Sequence, residues 1–132
     1  MEVLRASQRP ETLHGRAEWF TGEVWIDPIS TGPHVRLLSV HFAPGARTAW
    51  HTHPFGQTLH VTEGAGLIQS RGGPVEPIRA GDTVVFEPNE DHWHGAGPSS
   101  FMTHLAMQEI ADDGSDAVWG EPVGDDEYAD GG

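Results

Sequence analysis

Three histidines and one glutamine are spaced for a mononuclear metal site. His51 and His53 lie two residues apart, so on an extended strand both imidazoles point to the same face. Gln57 follows the segment 54–56 (PFG), which is typical of a turn into the next strand. His92 comes much later, behind another Gly and Pro. Three imidazoles and an amide oxygen that converge from separate strands suit one divalent ion of Mn, Fe, Co, Ni or Zn.

These residues carry a resemblance to the cupin family. Residues 45–64 read G-x5-H-x-H-x3-Q-x6-G, which resembles the first cupin motif with Gln where the family usually has Glu. Residues 81–92 (GDTVVFEPNEDH) resemble the second motif in overall length, with the proline one residue late. The resemblance implies an all-β fold, the cupin double-stranded β-helix or jelly-roll barrel.

The pattern of short strands agrees with a barrel. Runs of alternating residues are separated by Gly and Pro turns about every ten residues, as in sandwiches and barrels. The predicted strands cover residues 22–27, 35–43, 47–53, 57–63, 67–71, 83–87 and 100–109. There is no internal repeat, so we expect a single barrel over residues 21–110. Residues 1–20 are predicted to form an N-terminal arm or edge strand, and residues 111–132 an acidic tail.

The charge of the chain is concentrated at its end. The net charge is −13, and the residues from Glu109 onward include nine acidic and no basic side chains. We expect this tail to be solvated and dispensable for the barrel, because it has too few apolar residues to build a core. Trp119 and Tyr128 are the side chains that could anchor a short helix or turn onto the body.

Composition excludes several classes of function. The chain has no Cys, so disulfides, thiolate metal sites and Cys nucleophiles are excluded. All seven basic residues are Arg, which excludes Schiff-base chemistry on a lysine. Without a basic patch or a long apolar run we expect neither nucleic acid nor membrane as a partner. No apolar stretch follows Arg5 and Arg9, so we predict a cytoplasmic protein.

The other histidines divide by strand face. His94 lies two residues after His92 and therefore shares its face on a strand, which makes it a candidate for acid–base chemistry. His60 and His41 alternate with apolar residues, so we expect both to face outward. For His104 the periodicity is ambiguous. Hydrophobicity alone would turn residues 101, 103, 105 and 107 inward and leave His104 outside.

A second, more specific resemblance covers most of residues 19–109. The segments 44–59 (PGARTAWHTHPFGQTL), 81–98 (GDTVVFEPNEDHWHGAGP) and 102–109 (MTHLAMQE) resemble the small bacterial cupins that include the manganese-dependent hydroxynitrile lyases. This resemblance implies a homodimer or a higher homo-oligomer, and a site for one divalent ion at which Mn is favoured over Fe, Zn, Ni and Co. It implies metal ligation by His51, His53, Gln57 and His92, catalytic roles for His94 and His104, and substrate contacts from Leu38, Val40 and Gln108. It alone places His104 and Gln108 inside the barrel.

The neutral ligand Gln57 favours one class of reaction. A divalent ion keeps more positive charge beside Gln than beside Glu, so it is a stronger Lewis acid and is harder to oxidise. Together with the resemblance to the hydroxynitrile lyase cupins, this charge favours a lyase for a small aromatic or aliphatic α-hydroxy compound, in which a pocket His removes or relays the proton and a stabilised carbanion such as cyanide leaves. A metal-dependent dioxygenase and a non-catalytic module that binds or senses a small molecule are the alternatives.

Overall fold

Short antiparallel strands form almost all of the regular structure in residues 1–129, the part of the chain that the computed structural model describes. The strands are β1 (Leu13–His14), β2 (Phe20–Thr21), β3 (Val24–Thr31), β4 (Val35–Phe42), β5 (Arg47–Thr48), β6 (His51–Thr52), β7 (Gln57–Ser70), β8 (Glu76–Arg79), β9 (Thr83–Phe86), β10 (His92–Ala96), β11 (Met102–Glu109) and β12 (Val118–Trp119). A 3-10 turn (Ala6–Gln8) and helix α1 (Asp125–Ala129) complete them. The all-β prediction is confirmed. Residues 130–132 of the predicted tail lie outside the described residues.

The strands pair in two sheets that share β7. The first sheet has the order β1-β3-β4-β11-β7-β9, and the second has the order β8-β7-β10-β5-β2. Strand β6 also pairs with β10, and β12 pairs with β6. Because β1 lies at the edge of the first sheet, part of the N-terminal arm is an edge strand. No helix in residues 1–129 is both long and apolar enough to cross a membrane.

Strand β7 connects the two sheets by a bend rather than by a turn. Sequence analysis predicts two strands, 57–63 and 67–71, separated by a glycine turn, and this detail is wrong. The chain stays extended from Gln57 to Ser70 and passes from the first sheet to the second. At the crossing, Gly64 has φ 77°, and a Cβ there would lie 2.0 Å from the carbonyl oxygen of Phe101. Only glycine permits this approach, so the bend depends on it.

The predicted strand 47–53 is interrupted. It forms β5 and β6, and between them the main-chain N–H groups of Ala49 and Trp50 donate to the carbonyl oxygens of Trp19 and Glu121. These acceptors come from the N-terminal arm and the tail, which the local pattern could not reveal. The interruption leaves His51 opposite His92 in the β6–β10 pair.

The interior core lies between the two sheets. Its members are apolar side chains from both sheets, among them Phe42, Leu59, Val61, Met102 and Phe86, each at most 4% exposed. Burial of such side chains is the main stabilising term of the barrel. The core occupies one part of the interior, and the polar residues described below occupy the rest.

A second core lies on the outer face of the second sheet, beneath the tail. Trp50 and Trp93 pack there against Val123 and Tyr128, and Leu67 completes the cluster. The buried Arg47 donates to the carbonyl oxygen of Val123 and lies 4.5 Å from the centre of the Tyr128 ring. The expectation that the acidic segment contributes nothing to a core is therefore wrong. The anchoring of a short helix by Tyr128, considered as the alternative, is what the structure shows.

The tail core generates a stability prediction with a matched control. Val123 is 1% exposed, whereas Val118 of the same segment is 66% exposed. We expect Val123→Ala to reduce the free energy of unfolding by about 2–3 kcal/mol, because two buried methyl groups are lost and a cavity remains. Val118→Ala should change it by less than about 0.5 kcal/mol. Urea unfolding of both variants is the measurement, and equal effects would show that the tail is not packed as described.

Candidate metal centre and substrate pocket

The predicted metal ligands lie together at one end of the barrel interior. His51 of β6 and His92 of β10 are direct partners across their strands, and His53 follows β6 immediately. One ring nitrogen from each of the three lies within 4.8 Å of the others. Gln57, the first residue of β7, joins them with its Oε1 3.0 Å from Nε2 of His92. All four side chains are buried, with at most 5% exposed.

Each of the three histidines is held in one tautomer by a main-chain carbonyl. Nδ1 of His51 lies 2.9 Å from the carbonyl oxygen of Ala49, and Nδ1 of His92 lies 2.8 Å from that of Glu90. Nδ1 of His53 lies 2.7 Å from the carbonyl oxygen of Asp116 in the tail. A carbonyl oxygen only accepts, so each Nδ1 carries the proton and each Nε2 keeps its lone pair. This second hydrogen bond is typical of histidines that bind metals.

Burial keeps these imidazoles neutral. Desolvation lowers the pKa of His51 well below its usual value, and the neighbouring His92 and His53 lower it further. Desolvation likewise lowers the pKa of His53 and lowers that of His92 to about 4. At neutral pH all three are therefore uncharged, with lone pairs available as ligands.

The polar atoms at the centre of the group fit a cation. The lone pair of His92 Nε2 faces Oε1 of Gln57 at 3.0 Å, which brings two acceptors together without a proton between them. Nε2 of His53 is buried and has no hydrogen-bond partner within the described part of the chain. Three imidazole nitrogens and one amide oxygen form an N/O donor set of the type that first-row divalent metals prefer. The residues therefore fit such an ion.

A second pair of histidines lies beside the first group. Nε2 of His104 lies 2.9 Å from Nδ1 of His94, and the ring of His94 is centred 5.3 Å from that of His51. Both rings are buried, and desolvation lowers both pKa values, that of His104 to about 4. Nε2 of His94 and Nδ1 of His104 have no hydrogen-bond partner among residues 1–129. One proton shared in the 2.9 Å contact therefore couples the tautomers of the two rings.

A small cavity of about 170 Å³ connects these groups. Its polar end is formed by His51, His53, His94, His104 and Gln57, and its walls are mostly apolar. The wall residues are Trp19, Phe20, Ile26, Leu38, Val40, Thr48, Ala106 and Trp119, with Arg36, Gln108, Asp116 and Ala117 among the remaining lining residues. The volume lies below the roughly 300 Å³ at which pockets for drug-sized ligands begin, so the cavity suits a small molecule.

The sequence matches the family described as "Cupin domain" over residues 38–103. A curated relative, (R)-mandelonitrile lyase from Granulicella tundricola (strain ATCC BAA-1859 / DSM 23138 / MP5ACTX9), is 53% identical over 131 residues, which cover 97% of this chain and 98% of the relative. The chain belongs to the cupin family. The relative is an enzyme, so the predictions of a small single-domain cupin and of an enzyme are confirmed, as is the resemblance to hydroxynitrile lyase cupins.

Solved cupins share the fold. A cupin-like protein from Thermotoga maritima is 39% identical, has a TM-score of 0.82, and is matched over 87% of this chain and 89% of its own. A polyketide cyclase from Streptomyces resistomycificus has a TM-score of 0.73 at 17% identity, over 97% of this chain and 90% of its own. At that identity the likeness concerns the fold alone.

In this cupin the remaining predicted site residues lie where the resemblance implies. Leu38 and Val40 line the cavity, and His104 and Gln108 face it with at most 7% exposed. Hydrophobic alternation alone would have turned β11 the other way, and that orientation is wrong, since Phe101 and Met107 are about half exposed. The burial of polar side chains in the cavity overrides the apolar pattern. The catalytic and binding roles stay predictions.

The two histidines expected to face outward do so. His60 is exposed and bonds the hydroxyl of Thr83, with 2.8 Å between Nδ1 and Oγ1. His41 is partly exposed, and its two ring nitrogens bond the carboxylate of Asp27 and the hydroxyl of Thr103. Neither lines the cavity.

Sequence reasoning missed the contribution of the tail to this site. Trp119 stacks with the ring of His51 with the centroids 4.5 Å apart, and it also stacks with Trp19, with the centroids 5.1 Å apart. Asp116 accepts a hydrogen bond from His53 and also lines the cavity. Trp119 could be suspected of packing onto the body from the sequence, because it is an aromatic residue within an acidic tail. The composition of the segment contains no such signal for Asp116.

The geometry generates a metal-binding prediction. Replacing His51, His53 or His92 with Ala should weaken Mn²⁺ binding by more than about 100-fold, because removal of a ligand exceeds the usual effect of removing an outer hydrogen bond. His60→Ala is the control, since His60 lies on the outer face of β7. Stoichiometry and affinity are measured by titration of Mn²⁺ into metal-free protein. One ion retained per chain in His92→Ala would contradict the site.

Proposed function

We propose that this cupin is a metal-dependent lyase that cleaves a small α-hydroxynitrile to an aldehyde or ketone and hydrogen cyanide. The observation that carries the proposal is the His94–His104 pair, which borders the same small apolar cavity as His51 and His53. The relative named (R)-mandelonitrile lyase, 53% identical over almost the whole chain, supports the same reaction class. The apolar walls favour an aromatic or aliphatic substituent of the substrate.

The metal centre supplies one part of the chemistry. His51, His53, His92 and Gln57 would hold a divalent ion, and Mn²⁺ is our proposal among the metals that the donor set suits. When bound, the ion supplies Lewis acidity towards an oxygen ligand. All four ligands are neutral, so the protein does not reduce the positive charge of the ion.

His94 performs the proton transfer in this proposal. Its Nε2 is buried with no partner among residues 1–129, and the ring lies beside the metal ligands. When Nδ1 of His94 carries the shared proton and donates it to His104, Nε2 has a free lone pair. His104 then orients His94 and stabilises positive charge on its ring, as in other pairs of a base and an orienting group.

The step balances without an oxidant. His94 takes the hydroxyl proton, and the electron pair of the O–H bond becomes the second bond of the carbonyl group. The C–C bond to the nitrile carbon breaks, and its electron pair leaves with cyanide. The proton on His94 then passes to cyanide, which gives hydrogen cyanide and restores the neutral imidazole. Dioxygen is not consumed in any of these steps.

Leu38, Val40 and Ala106 bind the apolar substituent in this proposal. They lie on neighbouring strands β4 and β11, and all three line the cavity. The side-chain amide of Gln108 already bonds Gln57 and Asp116, with a second N–H left for a polar substrate atom. The aromatic pair of Trp119 and Trp19 covers the ligand His51 and limits the cavity on the side of the tail.

The predicted homodimer and cytoplasmic location belong to the proposal as well. Four exposed apolar side chains, Val35, Phe55, Val85 and Met107, line one surface cleft. Such a surface supports self-association, and light scattering across a concentration series measures it. The location stays a prediction.

The proton-transfer role generates a kinetic prediction. His94→Ala should reduce the turnover of mandelonitrile by ~10²–10⁴-fold with the metal retained, and His104→Ala should reduce it less, because the base itself remains. His60→Ala should keep the parental rate. Steady-state kinetics with metal analysis of each sample is the measurement. If both single variants kept the full rate and full metal, His94 would not be the base.

The reaction class generates a second prediction. Cleavage of the nitrile should proceed at the same rate under nitrogen as in air, because no step consumes dioxygen. Aldehyde release and oxygen consumption are followed together on the Mn²⁺-loaded protein. One dioxygen consumed per product would replace the lyase with the dioxygenase. Absence of turnover across a panel of α-hydroxynitriles, under either gas, would favour the binding module.

A further inference from the structure

A chain of hydrogen bonds runs from the tail to the glutamine of the metal centre. Nε2 of Gln57 donates to Oε1 of Gln108 over 3.2 Å. Nε2 of Gln108 donates in turn to Oδ2 of Asp116 over 2.8 Å. The other carboxylate oxygen of Asp116 pairs with the guanidinium of Arg36 at 2.9 Å. The chain therefore links a ligand candidate on β7 to residues of β11, the tail and β4.

The hydrogen bonds that link Gln57, Gln108 and Asp116 can run in only one direction from donor to acceptor. A carboxylate accepts hydrogen bonds and cannot donate one, whereas an amide side chain has a donor end and an acceptor end. Gln108 must therefore turn its NH₂ group towards Asp116, which leaves its oxygen for Gln57. Gln57 must then turn its own NH₂ group towards Gln108. Its oxygen is left facing Nε2 of His92, at 3.0 Å.

Because these side chains are buried, reversing a donor and an acceptor in this series of hydrogen bonds would cost free energy. Gln57 and Gln108 are 5% and 7% exposed, and the side chain of Asp116 is 14% exposed. An amide that turned the wrong way would place two acceptors or two donors against each other, with little access for water to relieve the conflict. Both carboxylate oxygens of Asp116 act as acceptors, one towards Gln108 and the other towards the guanidinium of Arg36.

We propose that Asp116 is a positioning residue that, through Gln108, makes Gln57 present its oxygen rather than its NH₂ group to the metal. The inference rests on the metal site of the proposed function. An NH₂ group cannot ligate a cation, so the orientation of the amide decides whether Gln57 is a ligand at all. Asp116 thus supports two ligands, since its main-chain carbonyl oxygen also accepts the Nδ1 proton of His53.

The same reasoning explains why Gln rather than Glu suits this position. A carboxylate at position 57 would need a donor from Gln108, so Gln108 would have to reverse. Its oxygen would then face the carboxylate of Asp116, and two acceptors would meet in a buried place. An amide at position 116 could donate to the reversed Gln108. The residues at positions 57 and 116 are therefore expected to be coupled.

The first test compares two Asp→Asn changes in the tail. In Asp116→Asn the side chain at position 116 can both donate and accept, so the direction of the hydrogen bonds from Gln57 to position 116 is no longer fixed. We therefore expect the affinity of the full-length, metal-free protein for Mn²⁺ to fall about 10–100-fold, the usual effect of losing an outer hydrogen-bond partner. The main-chain bond to His53 stays. Asp125→Asn is the matched control, because Asp125 pairs with Arg47 and has no link to Gln57. It should change the affinity by less than about twofold.

The second test is a double-mutant cycle with Gln57→Glu. In the Gln57→Glu background we expect Asp116→Asn to cause a smaller loss of Mn²⁺ affinity than in the parental background, or a gain, because it restores a consistent chain of donors. A coupling of about tenfold or more supports the inference. A merely structural role of Asp116 would give the same loss in both backgrounds. Thermal unfolding of each variant identifies any general loss of the fold.

The outcomes separate this inference from the metal site itself. If the parent protein does not bind Mn²⁺, both fail. If the parent binds Mn²⁺ and Asp116→Asn binds it equally well, or if Asp125→Asn weakens binding to the same extent, the positioning role of Asp116 is wrong and the metal site stands. Equal losses in the parental and Gln57→Glu backgrounds overturn the positioning role in the same way.

Discussion

In the three-histidine group of this cupin, each free Nε2 lone pair depends on a proton held at the opposite side of its ring. The Nδ1 protons of His51, His53 and His92 are donated to main-chain carbonyl oxygens over 2.7–2.9 Å. A buried imidazole that could rotate or change tautomer would present a proton as often as a lone pair. Because the acceptors belong to the backbone, the three lone pairs converge as soon as the backbone is in place.

Two of these acceptors are local and one is not. His51 and His92 each bond the carbonyl two residues earlier, so the segment just before each strand supplies the acceptor for the first histidine of that strand. His53 bonds Asp116, which lies 63 residues away in the sequence. The hydrogen bonds of the three-histidine group are therefore complete only when the tail is docked. Trp119 and Tyr128 contribute to that docking, one against His51 and the other in the second core.

The tail joins stability and site geometry in one segment. The buried guanidinium of Arg47 bonds the carbonyl of Val123 and the carboxylate of Asp125, so part of the negative charge of the tail has a fixed cationic partner. Asp116 uses both its carboxylate and its carbonyl inside the body. Acidic residues in this segment therefore act as specific acceptors, and a net charge summed over the segment conceals this.

The barrel also has to accommodate many polar groups in its interior. Desolvation opposes charge on His51, His92, His94 and His104, and lowers their pKa values. Neutral imidazoles with defined tautomers can be buried at moderate cost, because each retains at least one hydrogen bond. This arrangement places lone pairs in an apolar cavity, where electrostatic interactions are stronger than in water.

The sequence by itself indicated that His51, His53, Gln57 and His92 would lie together, that the fold is all-β and that His41 and His60 face outward. The strands and their faces follow from local geometry, since alternate residues of a strand share a face and Gly and Pro mark its ends. The resemblance to the two cupin motifs supplied the convergence of His92 with the other three residues and the type of barrel. Periodicity failed at His104, because a polar cavity reverses the usual rule, and only the family resemblance supplied the orientation. The role of the tail was decided by the tertiary structure alone. A few buried contacts of Asp116, Trp119 and Val123 outweigh the acidic composition of that segment, and such contacts between distant residues leave no periodic signal in the chain.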